Sequence, residues 1–244
     1  MKFATKNNTT WKKKEIKKPE KTQEEEEEEM KLVWSPETAS KAYIDTVRSC
    51  ELSQESSVAE LVSAMAAGWN AKLIVETWSE GGVIKTSIGL AVASRHTGGR
   101  HVCIVPDEQS RFEYVTAMEQ AGMAPEVVVG EPEEAMGGLT GIDFLVVDCR
   151  RNDFARILTV AKLGHRGGVL VCKNASSRSA SNFGWRSVLD GGSRLVRTVF
   201  LPVGKGLDIA HVATSGENSG SKKGKSRWIK HIDRESGEVN VIRR

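Results

Sequence analysis

Acids and a lysine stand at the ends of short apolar runs: Glu76 in LIVET, Asp107 after HVCIVP, Glu131 after EVVVG, Asp148 in DFLVVD, and Lys173-Asn174 after GGVLVC. If such runs are parallel strands, their carboxyl ends open on one crevice, where acids bind or orient a ligand. The stretch LIVETWSEGGVIKTS, Leu73 to Ser87, leads an apolar strand through Gly81-Gly82 into a helical pattern. A helix start of this kind offers free N–H groups and the positive end of a dipole. Two phosphate motifs are excluded by spacing: Ile84 stands where a P-loop needs glycine ahead of Lys85-Thr86, and no G-x-G-x-x-G can be read. ATP and NAD therefore fall behind as ligands.

Each of these residues also has a plainer explanation. Glu76 and Asp148 can cap helix starts, Gly81 and Gly82 can simply make the turn, and Trp78 can be a core or interface aromatic. Lys173 can extend to solvent. The convergence of several acids on one crevice favours a site over these readings.

The elements that must position these residues alternate along the chain. SPETASKAYIDTVRS opens a helix with Ser35 as N-cap and Pro36 at the first helical position. SSVAELVSAMAAG carries apolar residues at helical spacing and is expected to stop at Gly68 as a left-handed terminator. The runs AKLIVET, HVCIVP, EVVV, DFLVVDC and GGVLVCK are short, apolar and β-branched, the pattern of parallel strands buried on both faces. Amphipathic stretches at 84–94, 111–120, 133–139 and 154–163 lie between them. Five βα units in series with right-handed crossovers give an α/β, doubly wound, mostly parallel sheet. VRTVFLPVGKGLDIAHVAT differs, with two strands about Gly204-Lys205-Gly206, and predicts a final antiparallel hairpin.

Composition bounds the rest. With 244 residues and 39% hydrophobic content the chain can bury one sizeable core, and its net charge of +3 is too small to point to nucleic acid. Cys50, Cys103, Cys149 and Cys172 show no C-x-x-C spacing and read as reduced thiols of a cytoplasmic protein, with the nucleus left open. No apolar run reaches the roughly 18 residues of a membrane span, and a signal peptide's apolar centre is missing, so a soluble, non-secreted protein is expected. Residues 1–30, a lysine-rich block followed by six consecutive glutamates, read as a disordered charged tail. KKKEIKKPEK within it has a second reading as a nuclear-localisation or anionic-surface patch. Residues 31–214 are expected to form the folded domain, 215–226 a Gly/Ser/Lys linker, and 227–244 a basic hairpin or tail.

The series AKLIVETWSEGG, HVCIVPDEQ, EVVVGEPEEAM, IDFLVVDCRRNDF, GHRGGVLVCKN and RTVFLPVGKGLDIAHV resembles the S-adenosylmethionine (SAM)-dependent methyltransferases, particularly the catechol and caffeoyl-CoA O-methyltransferase branch. The resemblance covers about Ser53 to Thr214. The opening MKLVWSPETASKAYIDTV is also similar to an uncharacterised plant family of methyltransferase-like proteins. The resemblance implies seven strands with the last antiparallel, SAM as cofactor and S-adenosylhomocysteine (SAH) as product. It places Glu76, Trp78, Gly81, Gly82, Asp107 and Glu131 around the cofactor, and Asp148, Lys173 and Asn174 beside the reacting methyl.

Within that pattern Trp78 replaces the usual first glycine of the turn. The ribose-binding carboxylate falls on Pro106, which cannot accept a hydrogen bond through its side chain, or on Asp107, which can. The metal-dependent branch has an Asp-Asn pair after its fifth strand; here the pair is Lys173-Asn174. A lysine removes a hard oxygen ligand and adds positive charge, so no metal is expected. The ammonium can instead pair with Asp148, or act where the metal would have polarised a substrate hydroxyl. His96, His101, His165, His211 and His231 form no ligand pair at helical spacing, and no base is identified. The reading is a metal-independent methyltransferase acting on a small-molecule or macromolecular acceptor, with a homodimer left open. The alternative is a degenerate relative kept as a binding or regulatory module.

Overall fold

The computed structural model describes residues 34–50, 57–177, 183–189, 193–214, 228–232 and 239–243. The charged tail and the 215–226 linker lie outside them. Two helices lead, α1 (Pro36–Ser49) and α2 (Ser57–Gly68). Ser35 caps α1 by accepting from the Thr38 amide at 3.4 Å, with Pro36 just inside, as the sequence pattern predicts. Helix α2 stops at Gly68 as expected, but Gly68 is not left-handed. It is the last helical residue and lacks a side chain because the Trp34 ring fills the space, 2.4 Å from where a Cβ would sit. The left-handed residue is Asn70, at φ 51°, which asparagine tolerates.

The βα units follow: β1 (Leu73–Thr77), α3 (Ile84–Thr97), β2 (Arg100–Val105), α4 (Glu108–Gln120), β3 (Glu126–Val129), α5 (Pro132–Gly137), β4 (Thr140–Ile142), β5 (Phe144–Asp148), α6 (Phe154–Val160), β6 (Lys162–Leu163) and β7 (Gly168–Lys173). A short α7 (Trp185–Val188), then β8 (Ser193–Leu201) and β9 (Leu207–Thr214), complete the main sheet. Its order is β3-β2-β1-β5-β7-β9-β8, parallel up to β7, with β9 antiparallel to both β7 and β8. This is the seven-stranded doubly wound sheet with a final antiparallel hairpin that the sequence implies. Strands β10 (Trp228–Ile232) and β11 (Val239–Arg243) pair antiparallel as a separate ribbon.

Two details differ from expectation. Glu126–Val129 is not buried on both faces: it forms one edge of the sheet, and its two end residues are exposed. The helical stretch expected to run to Leu163 ends at Val160, and Lys162–Leu163 pairs instead with β4 in a small parallel sheet. β-Branched Val160 and the extended Ala161 mark that break.

Alternation along each strand sorts the core into two layers. Ile74, Cys103, Val105, Phe144, Val146, Val169, Val171 and Ile209 meet α1 to α4 on one face. Val75, Ile104, Leu145, Val147, Leu170, Cys172 and Val212 meet α5 to α7 on the other. Each fully buried aliphatic chain contributes roughly 1.5–3 kcal/mol of transfer free energy, so this register is strongly specified. Continued by one period of two, the first layer turns Glu76, Asp148 and Lys173 toward the α3 side. Among the described residues no helix is long and apolar enough to cross a membrane.

Candidate functional site

Glu76 is fully buried near the end of β1, on the face that also receives His101 from β2. Its Oε1 lies 3.1 Å from His101 Nε2 and accepts the Tyr114 hydroxyl at 2.9 Å. Burial opposes ionisation of this carboxyl, but the His101 hydrogen bond and charge, with the Lys173 charge, hold it below its usual value. Burial and the neighbouring Glu76 charge push the Tyr114 phenol well up, which keeps it a donor. Glu76 therefore caps no helix.

The other oxygen, Glu76 Oε2, is buried without a hydrogen bond of good geometry, as are Thr77 Oγ1, Trp78 Nε1 and Ser87 Oγ, although the Ser87 hydroxyl lies near enough to Glu76 to help lower its pKa. All four belong to the strand–turn–helix segment 76–87. A buried polar atom left unpaired costs about 1–3 kcal/mol, so such a cluster in one turn needs a cause. Gly81 has φ +71°, a conformation that favours glycine, and nothing lies within 4 Å of the position a Cβ would take. Gly82 faces the opposite situation: Trp78 Nε1 lies 2.5 Å from its Cβ position. The indole is buried and meets the Tyr114 ring edge-on, with centroids 5.4 Å apart. Helix α3 then starts behind Val83 with no side-chain cap, leaving its first amides free.

Strand β2 ends at Val105, and Asp107 is the exposed N-cap of α4, accepting from the Ser110 amide at 2.7 Å. That amide holds its carboxyl below the ordinary value. Glu131 is likewise exposed, at the start of α5, but makes no side-chain cap. Capping, foreseen as an alternative for Glu76 and Asp148, thus falls to Asp107.

Asp148 and Lys173 are register partners at the carboxyl ends of β5 and β7, and both are buried. Arg150 clasps Asp148 with its amide at 3.0 Å, Nε at 3.1 Å and Nη2 at 2.7 Å. Burial works against the carboxylate, but the Arg150 hydrogen bonds, with Asn174 and the Lys173 charge, together keep Asp148 below the usual range. Asn174, in the left-handed region at φ 59°, turns the chain out of β7.

A cleft of about 220 Å³ opens here, lined by Asp148, Arg150, Lys173 and Asn174, by Val83 and Thr86 of the α3 start, and by the 203–207 turn. Glu76, Asp107 and Glu131 do not line it. The structure therefore gathers Asp148, Lys173 and Asn174 in one cleft, with Trp78, Gly81 and Gly82 in the neighbouring turn and Asp107 and Glu131 at the exposed starts of α4 and α5. Among the described residues no group of three or more His, Cys, Asp or Glu is placed to hold a metal ion.

Sequence reasoning missed His101, Tyr114 and Arg150. The signal for His101 was a polar residue at the inward parity of an otherwise apolar strand, in step with Cys103 and Val105. Tyr114 shares the buried stripe of α4 with Ser110 and Met118 at spacings of four.

Comparison with known proteins places this arrangement in context. A family model described as "Protein of unknown function (DUF1442)" matches residues 30–244. The chain belongs to that family. The description names no source organism, so the plant affinity read from residues 30–47 stays an expectation. No curated protein matches the chain. A methyltransferase from Geobacter sulfurreducens superposes with TM-score 0.50 at 22% identity, covering 71% of this chain and 88% of the other. The SAH-bound methyltransferase PaMTH1 from Podospora anserina gives 0.49 at 13% identity, covering 82% and 99%. The O-methyltransferase TomG from Streptomyces achromogenes, in complex with SAM, gives 0.46 at 20% identity, covering 75% and 92%. The first of these, with the strand order, identifies the sheet as the class I methyltransferase fold.

Proposed function

We propose that this family member is a SAM-dependent, metal-independent methyltransferase. The observation that carries the reading is the group of buried, unpaired polar atoms in the 76–87 turn, at the strand-to-helix position where this fold class takes its ligand. The residues present fit the cofactor in kind. Asp107 and Glu131 are exposed carboxylates suited to ribose hydroxyls and the adenine edge, Gly81 leaves open space, and the free amides of α3 face the turn. Among the similar structures, PaMTH1 is SAH-bound and TomG is in complex with SAM. When bound, SAM supplies an electrophilic methyl on a sulfonium sulfur and leaves as SAH.

The contribution of the chain is position and electrostatics. Glu76, fixed by His101 and Tyr114, holds a negative charge under the turn. Asp148, paired with Arg150, has a lowered pKa and so makes a weak base at neutral pH; its part is to orient Arg150 beside the acceptor. Lys173 supplies a fixed cation where a metal-dependent relative would hold a divalent ion, and an ammonium cannot ligate one. The acceptor is a small molecule or the exposed group of a macromolecule.

Calorimetric titration of the full chain with SAM and with SAH tests the reading. Saturable heat with a raised melting temperature is the expected result. No heat and no thermal shift at millimolar ligand would reject it in favour of a binding or regulatory module that keeps only the fold. The packing of Trp78 against Gly82 is the observation that favours this second reading.

A further inference from the structure

We propose that the cleft between β5, β7 and the 203–207 turn takes a small carboxylate-bearing acceptor with an apolar body, its carboxylate seated on Lys173. The inference deepens the methyltransferase reading and rests on it. Lys173 is only 7% exposed and lines the cleft, and its side chain makes no direct hydrogen bond or ion pair with another described residue, although its charge reaches Glu76 and Asp148. A buried ammonium requires a counter-charge. Its natural neighbour, Asp148, is already clasped by three donor groups of Arg150, and Glu76 by His101 and Tyr114. Lys205 adds a second cation at the turn, so Arg150, Lys173 and Lys205 stand against Asp148 alone among the lining residues. An anion entering the cleft meets an excess of positive charge.

The walls fix the remainder of the molecule. Val83, Val203 and Leu207 present aliphatic surface to the cleft, and Val83 is 59% exposed, an apolar side chain that a ligand would cover. At about 220 Å³ the cleft is smaller than the roughly 300–1,000 Å³ of pockets for drug-sized ligands, so it suits one ring and its substituents. A single ammonium point charge at the buried end, with apolar walls leading to it, matches a monoanionic carboxylate better than a phosphate, which favours planar forks or several donors.

The test compares two probes of equal shape, 4-hydroxybenzoate and the uncharged 4-hydroxybenzamide. Each is titrated calorimetrically into the full chain, wild type, Lys173→Met and Lys205→Gln, with SAH titrated separately. The acid is expected to bind at least about tenfold more tightly than the amide to the wild type, the scale of a hydrogen bond to a charged group. Lys173→Met should abolish that preference, and Lys205→Gln should reduce it. Should Lys173→Met fail to give a cooperative melt, the wild-type ratio and Lys205→Gln decide. Equal affinities for acid and amide, no binding of either, a preference that survives Lys173→Met, or displacement of the acid by lower concentrations of inorganic phosphate would each overturn the proposal. SAH binding without acid preference removes this inference and leaves the methyltransferase reading standing; acid preference without SAH binding does the reverse.

Discussion

The indole nitrogen of Trp78 lies 2.5 Å from the point where a Cβ would project from Gly82. The two residues thus occupy one another's space across the turn, and a glycine at 82 is what allows the ring to lie there. The same packing buries the indole N–H without an acceptor.

Replacing Trp78 by alanine should therefore have opposite effects on stability and on ligand binding. Loss of a buried indole is expected to destabilise the fold by about 3–5 kcal/mol, read from urea denaturation. Opening the turn should at the same time tighten SAM binding, by roughly tenfold if the indole takes about 1.4 kcal/mol to displace. Weaker binding in the variant would show that the indole is part of the ligand's seat.

Glu76 offers a prediction with a defined pH dependence. Its folded-state pKa is depressed, so its contribution to stability is present above the unfolded carboxyl value of roughly 4.3 and is lost as pH falls through the folded value. Glu76→Gln should cost about 3 kcal/mol at pH 7, because it removes the buried negative charge that the His101 and Tyr114 hydrogen bonds and the nearby Lys173 charge stabilise. The gap between variant and wild type should narrow below about pH 4. A gap that stays constant on acidification would mean that hydrogen bonding alone, not charge, holds the network.

Asp107 has two separable duties. As the cap of α4 it should contribute stability that is lost in Asp107→Ala and retained in Asp107→Ser. As a two-oxygen acceptor for ribose it should also strengthen SAM binding, an effect lost in both variants. Calorimetry on the pair separates the duties, and full affinity in the serine variant would leave the residue a cap only.

Catalysis should be indifferent to EDTA and to added Mg²⁺. At an effective dielectric near 20, a cation about 4 Å from a divalent ion repels it by on the order of 8 kcal/mol. Lys173→Asp removes that repulsion and restores a carboxylate beside Asp148, so it should gain measurable Mn²⁺ binding. Tight Mn²⁺ binding by the wild type would contradict the argument.

The architecture was legible because burial writes itself into parity. Five apolar runs became the five parallel strands, and Gly204-Lys205-Gly206 marked the hairpin that closes the sheet. Positions governed by a distant partner were less legible. Gly68 looked like a left-handed terminator, but the residue that requires its missing side chain is Trp34, remote in sequence. Lys162–Leu163 continued a helical pattern and was captured by Thr140–Ile142. At the site, the sequence marked the acids but not their partners. His101 and Tyr114 reach Glu76 only because strand register and helix packing bring them there, and neither relation is local.

The strand order carries a consequence for biosynthesis. Strand β9 is the last of the seven to be made, yet it lies inside the sheet, covering the flank of β7 with Leu207, Ile209 and Ala210 buried. A nascent chain that has emerged only as far as β7 holds that flank bare, with its amides and carbonyls unpaired. Such an open flank invites the wrong partner. Completion of the domain must therefore await release of residues 207–214 from the ribosome, and a truncation before Leu207 should yield an aggregating fragment rather than a smaller working domain.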